Sequence, residues 1–412
     1  MAASFLPAPL SVLLRALLPF ALGYLLSYLL RAVNAVAGPV LAKEFGLGAG
    51  GLGLLTAAYL GAFSLFQFPL GILLDRYGPR RVQAALLAIA SLGTLAFALA
   101  PGFGALFAAR AVIGLGFAAG LMASFKAIVL WVEPERRALA NSCIMAFGGL
   151  GILLASEPTQ ILLGFMSWRH VFMIFAGLTI AVSGIIFFAV PEKAATATVP
   201  PLKDQVAQLL AILRSRPFWR AGPLLGLCAG VQIAIVTLWS GPWFRDVAGL
   251  SKEEAARRLL WMAVAFIIGL LASGIIADRL GRRGIGPMAV MLGFQLVYFA
   301  AEAVIVLQWM PGSLAAWLLM AASGQTAILG FPWLQRQFAP ELAGRSNSTL
   351  NFAMFAVAFT AQYAIGLVLD HFPKTAAGYA PQGYAWAFGI CLALQLLALL
   401  WYLGSHDQSH SR

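Results

Sequence analysis

Cysteine and charge are what this sequence has least of, and both shortages narrow its chemistry. Cys143, Cys228 and Cys391 are the only cysteines. Each lies inside an apolar run with no paired spacing, which excludes a disulfide framework and a thiolate metal site and leaves the thiols as small packing groups. Charged residues make up 10% of the 412 and hydrophobic ones 61%. No soluble globular protein of this size tolerates that balance on its surface, so lipid must cover most of it. No Gly-rich phosphate loop of the Walker type occurs, so ATP is not implied. No set of nucleophile, base and metal ligand recurs on facing helices, which argues against an enzyme, and no cofactor is expected. The formal charge of +12 is scattered over short loops rather than gathered on a polar domain. That sets nucleic acid aside and makes the basic residues reporters of membrane topology.

What is present is a succession of apolar runs. At about 20 apolar residues per crossing, the chain reads as an all-α membrane protein of twelve transmembrane helices. The run Arg15 to Val36 is too long for a secretion signal and shows no cleavage site, so it is kept as the first helix. Lys and Arg concentrate on the loops of the side that holds both termini, which places the termini in the cytoplasm. Ser251 and Glu254 have capping-box spacing and predict that the eighth helix starts early, beyond the opposite face. The longest polar stretch separates a first bundle (1–190) from a second (221–412), with a cytoplasmic linker at 191–220. Within the linker Val206, Leu209, Leu210 and Leu213 fall opposite Lys203, Gln205 and Arg214, the pattern of a helix lying along the membrane surface.

The two halves carry one another's marks. Gly71, Asp75-Arg76-Tyr77-Gly78 and Pro79-Arg80-Arg81 reappear as Gly274, Asp278-Arg279-Leu280-Gly281 and Arg282-Arg283. Each copy sits where one apolar run stops and the next begins, as duplicated bundles require. Pro134-Glu135 with Asn141-Ser142 is echoed at the same spacing by Pro340-Glu341 with Asn347-Ser348. The hinge pattern resembles the cytoplasmic loop signature of the major facilitator superfamily. That resemblance implies two pseudo-symmetric six-helix bundles and a transporter. Asp75, Arg76, Arg80, Asp278, Arg279 and Arg282 become gating candidates that can grip carboxylates or helix ends as the bundles rock.

An ionised side chain in hydrocarbon costs about 2.5 to 3.5 kcal/mol, so internal charges need a reason. The spans retain Arg31, Arg110, Lys126, Glu157 and Glu302, and the cationic majority favours an anionic guest. Tyr24, Ser27, Tyr28, Arg31 and Asn34 recur at three- and four-residue steps and form one polar stripe on the first helix. Tyr28-Leu-Leu-Arg31-Ala-Val-Asn34, followed by Pro39, resembles the first helix of anion:cation symporters and organophosphate antiporters. The resemblance implies that Arg31 meets the carboxylate or phosphate of a substrate, a task suited to a planar guanidinium. Arg110 and Glu157 lie at similar depth on helices four and five and are expected to pair, with Glu157 the proton carrier. Lys126 is a second cationic contact or a snorkelling lysine. Glu302 is expected at the interface.

The opposing bundle offers Gln232, Trp239, Ser240 and Trp243 on helix seven and Asn347, Asn351 and Phe355 on helix eleven. Ser323, Gln325 and Thr326 stand on helix ten, and Thr56, Tyr59, Phe63 and Gln67 on helix two. Together they suggest a midplane site of hydrogen bonds and aromatic walls. Pro69, Pro158 and Pro242 should bend their helices. The expectation is a monomeric secondary transporter of a small anion in an inner membrane, with lipid and a proton as its other partners. The alternatives are an exporter of amphipathic compounds and a membrane sensor without flux. The helix-five pattern Gly148-Gly149-Leu150-Gly151 lacks the Gly-Pro pair usual in drug antiporters, which weakens the exporter reading.

Overall fold

The computed structural model describes residues 10–133, 137–191, 202–339, 342–375 and 378–405. Helix Ala49–Ala98 has 50 residues. At 1.5 Å per residue that is about 75 Å, more than twice a hydrocarbon core of ~30 Å. It is two spans meeting at Gly78, whose φ of 77° and ψ of 162° suit only glycine. The second hinge copy bends elsewhere: its left-handed residue is Gly284 (φ 83°), not Gly281.

Twelve spans in two six-helix bundles result. The first bundle runs through span one (Leu10–Ala32 and Asn34–Phe45), spans two and three on either side of Gly78, and span four (Phe103–Phe117 and Gly120–Trp131). Span five (Arg137–Ala155 and Glu157–Phe165) and span six (Trp168–Ala189) complete it. The second begins with span seven (Arg216–Ala234, a π-helical segment Ile235–Trp239, then Ser240–Asp246), followed by spans eight (Lys252–Gly281) and nine (Pro287–Val306). Span ten is Ala315–Gly324, a 3₁₀ segment Gln325–Gly330 and Phe331–Gln335; spans eleven (Ala343–Asp370) and twelve (Pro381–Gly404) end the bundle.

Local chemistry sets several of these boundaries. Span seven starts at Arg216 rather than 221, because Ser215 Oγ accepts from the Phe218 amide at 3.3 Å. Span eight starts at Lys252 because Ser251 and Glu254 close the expected capping box, each bond 3.1 Å. The linker contains a helix, Leu202–Leu213, in which Ile212 is buried and Leu210 exposed. Gln208 accepts a hydrogen bond from Arg345 and so docks this helix on span eleven.

Each bundle has its own apolar core. Phe97, Phe117 and Phe172 centre the first; Trp243, Trp317 and Tyr298 centre the second. Leu65, Phe188, Trp386 and Leu400 face outward and are exposed, which is the surface of a protein whose solvent is lipid.

Candidate functional site

Five spans break or change pitch within their length, and the breaks of spans four and ten reach the candidate site. Span one bends by 44° between Ala32 and Asn34, just before Pro39, which lacks an amide proton. Span four breaks at Ala118–Ala119, span five at Ser156, span seven in its π segment and span ten in its 3₁₀ segment. Broken spans free backbone groups that need new partners. Gln67 Nε2 supplies one, donating to Ala118 O at 3.3 Å, while Gln67 Oε1 accepts from Asn351 Nδ2 of the other bundle at 3.1 Å.

Between the bundles lies a cavity of about 390 Å³. Its deep end holds Tyr28, Arg31, Phe63 and Phe355; Asn141 and Asn347 line it one turn inside the hinge-loop ends of spans five and eleven, and Gln335 at the hinge-loop end of span ten. The cavity therefore extends toward the face that carries Asp75 and Asp278.

Arg31 is 3% exposed and is the cation of this cavity. Its guanidinium carbon lies 4.5 Å from the ring centre of Tyr28, 4.9 Å from Phe63, 5.7 Å from Tyr59 and 4.9 Å from Phe355 across the bundle interface. Ring faces hold a cation without neutralising it. Among the described residues no carboxylate pairs with Arg31, and its Nε has no hydrogen-bond partner. The guanidinium therefore borders the cavity with no protein anion to neutralise it.

Of the expected substrate contacts, Tyr28, Arg31 and Asn351 line this cavity together. Tyr59 stands behind Arg31, its hydroxyl on Ser27. Asn34 turns to span two, where Nδ2 donates to Thr56 Oγ1 at 2.9 Å. Gln232 lies against Gly324 inside the second bundle. Trp239 instead packs against Gly53 of span two, its Nε1 donating within the second bundle to Gln362 O at 3.1 Å. Lys126 pairs with Asp75, so a hinge carboxylate rather than the cavity claims it.

The expected Arg110–Glu157 pair does not form. Arg110, fully buried, sends Nη2 toward Arg31 O at 3.5 Å, an oxygen of the broken turn, and packs 5.2 Å from the Tyr59 ring centre. The break at Ser156 swings Glu157 toward span eight, where Arg257 Nε meets it at 3.4 Å. Of the other gating candidates, Arg76 packs on Tyr77 and Arg80 Nε donates to Phe187 O at 2.9 Å. Asp278 in the last turn of span eight pairs with Arg282 just beyond it at 2.9 Å, and Arg279 is exposed. Asp75 and Asp278 thus each pair within their own bundle. Pro134, Glu135, Pro340 and Glu341 lie outside the described residues; their companions Asn141 and Asn347 both reach the cavity.

The opposite face is closed by contacts absent from the sequence reading. Asp370, ending span eleven, accepts from the amides of Ala49 and Gly50 at the start of span two, at 2.8 and 2.7 Å. This is a carboxylate on a helix N-terminus, the favourable polarity. A Cβ on Gly241 would stand 2.2 Å from Ala35 O, and one on Gly366 2.5 Å from Ala49 O, so these backbones meet because glycine lets them. Tyr379, between spans eleven and twelve, packs on Trp239. Burial, with Asp370 and Asp246 nearby, pushes its phenol up to about 12. Glu302 is not interfacial but fully buried in the second bundle.

Comparison with known proteins places this geometry. The matched regions span under two thirds of the first relatives' own length. A probable sulfoacetate transporter, SauU, of Cupriavidus necator is 22% identical over 63% of this chain and 64% of its own. A probable galactarate/D-glucarate transporter, GudP, of Escherichia coli is 26% identical over 61% and 63%. Among solved structures, a bacterial homolog of the human lysosomal transporter Spinster, inward-facing and unoccupied, aligns with a TM-score of 0.72 at 18% identity over 94% of this chain and 95% of that one. A D-xylose-proton symporter aligns at 0.71 and 17% identity over 95% and 97%; at such identity the likeness concerns the fold. The family model described as Major Facilitator Superfamily matches residues 20–362, and with its paired hinges and twelve spans the chain belongs to that superfamily.

Proposed function

We propose that the chain is a secondary transporter that carries a small organic anion across an inner membrane by alternating access, coupled to protons, with Arg31 as the anion contact. The observation that carries this reading is the guanidinium of Arg31, held by aromatic rings at the deep end of the cavity with no carboxylate against it. An intramembrane charge kept without a protein counter-ion is expensive unless a ligand supplies one. The relatives named for sulfoacetate and glucarate, both organic anions, support the same class.

In this reading the hinge-loop face and both termini are cytoplasmic, and the structure corresponds to the state open to that side. An anion entering past Asn141, Gln335 and Asn347 meets Arg31, with Tyr28 and Asn351 as polar partners. Closing the hinge-loop face requires Asp75, Arg76, Arg80, Asp278, Arg279 and Arg282 to exchange present partners for others across the interface, while the Asp370 and Glu157 contacts open. A thermal-shift screen of the purified protein against carboxylates, sulfonates, phosphates and sugar acids, repeated with Arg31→Gln, tests this. A stabilising anion whose effect disappears in Arg31→Gln supports the reading; an unchanged shift overturns it.

A further inference from the structure

The second bundle buries a carboxyl group that does not line the anion cavity. Glu302 on span nine is 0% exposed. Its Oε1 accepts one long hydrogen bond, 3.5 Å from Gln395 Nε2 of span twelve, and its Oε2 has no partner. The titratable groups facing it are Tyr298 on its own helix, Cys228 on span seven and Cys391 on span twelve. Span ten has no titratable residue in Ala315–Gly324, Gln325–Gly330 or Phe331–Gln335. Span eight keeps its charges at its two ends. Among the described residues no Lys, Arg or His pairs with it.

Other acids are differently placed. Asp75, Glu157 and Asp278 have basic partners, and Asp370 has two amides. Asp246, 8% exposed, takes the Tyr384 hydroxyl at 2.7 Å and the Tyr379 amide at 3.2 Å. An ionised Glu302 would have neither a cation nor a full set of donors, which a low-dielectric interior penalises. A proton on Oε2 removes the charge.

Resting on the proposed transport, we infer that Glu302 is a proton-binding site, and that it, rather than Glu157, is where the coupling proton is held. Its position suits that task. Cys228, which faces it, directly precedes Ala229 of the cavity wall. Span nine is also tied to the 3₁₀ segment of span ten, Gln295 Nε2 donating to Thr326 Oγ1 at 3.3 Å, and the next residue, Ala327, lines the cavity. Rearrangement of these broken spans changes what surrounds Glu302, and loading or release of its proton then differs between states.

Two measurements on the full-length protein test the site. Infrared difference spectra of wild type against Glu302→Gln should contain the C=O band of a neutral carboxylic acid; a carboxylate signature in its place overturns the inference. In proteoliposomes with D-glucarate as the probe, Glu302→Gln should lose uptake driven by an imposed proton gradient and keep D-glucarate exchange. Retained gradient-driven uptake in Glu302→Gln overturns it. Wild type that neither accumulates nor exchanges D-glucarate counts against the transport reading for that anion, and the infrared band then decides the protonation of Glu302 by itself.

Discussion

The carboxylate of Asp370 accepts the amide of Gly50 at 2.7 Å, joining the end of span eleven to the start of span two. One side chain from the second bundle therefore caps a helix of the first, and this bond must break whenever that face opens. Asp370→Asn keeps the shape but loses the charge, so the closed seal should weaken by about 1–2 kcal/mol. In a background without the native cysteines, Leu52→Cys, at the buried seal, should react faster with maleimide when Asp370→Asn is added. Equal rates would contradict the latch.

Arg31 offers the sharpest binding test. Arg31→Lys keeps the charge and loses the fork, whereas Arg31→Gln loses both. Anion affinity should fall in the order wild type, Arg31→Lys, Arg31→Gln, with the last costing about 2–5 kcal/mol, as for truncation of one partner of a buried charge pair. Calorimetric titration with the anion found by thermal shift measures each step.

The Glu157–Arg257 pair crosses the interface but is partly open to solvent, its side chains 30% and 61% exposed. A double-mutant cycle with Glu157→Gln and Arg257→Gln, read as thermal stability, should give a coupling of about 1 kcal/mol or less, and less in high salt. Gradient-driven uptake should survive Glu157→Gln. Its loss would return the proton to Glu157.

Lys126 belongs with Asp75 rather than with the cavity. Lys126→Gln should leave anion affinity within about twofold, because no contact to the guest is removed, and should change the transport rate. The exchange Lys126→Asp with Asp75→Lys should recover part of that rate. A large loss of affinity in Lys126→Gln would place the ammonium in the binding site after all.

The sequence carried much of this architecture because membranes enforce simple rules. Apolar run length marks a crossing, and Asp75-Arg76-Tyr77-Gly78 with Asp278-Arg279-Leu280-Gly281 marks the duplicated turns. Arg31 stood out for the same reason: a guanidinium amid apolar residues has few structural excuses. Pairings were harder to read. Arg110 and Glu157 share a depth, but depth does not fix the rotation of a helix, and the break at Ser156 turns the glutamate away. Glu302 was misplaced likewise, since a residue near a helix end can face headgroups or a bundle core, and one sequence does not give that angle. Asp370 gave no local signal, because its partners are amides of residues more than three hundred positions earlier. Asn141 was readable in principle, as its echo Asn347 was already a cavity candidate.

The glycines at the closed face set the manner in which it opens. Where Gly241 meets the Ala35 carbonyl and Gly366 the Ala49 carbonyl, the mating surfaces are peptide edges with little side chain between them. Parting them uncovers peptide edges together with the apolar side chains packed beside them, Val36 and Leu52 against Leu238 and Trp239. The resting position of such a door is shared between that apolar contact and the carboxylate of Asp370 that fastens its rim.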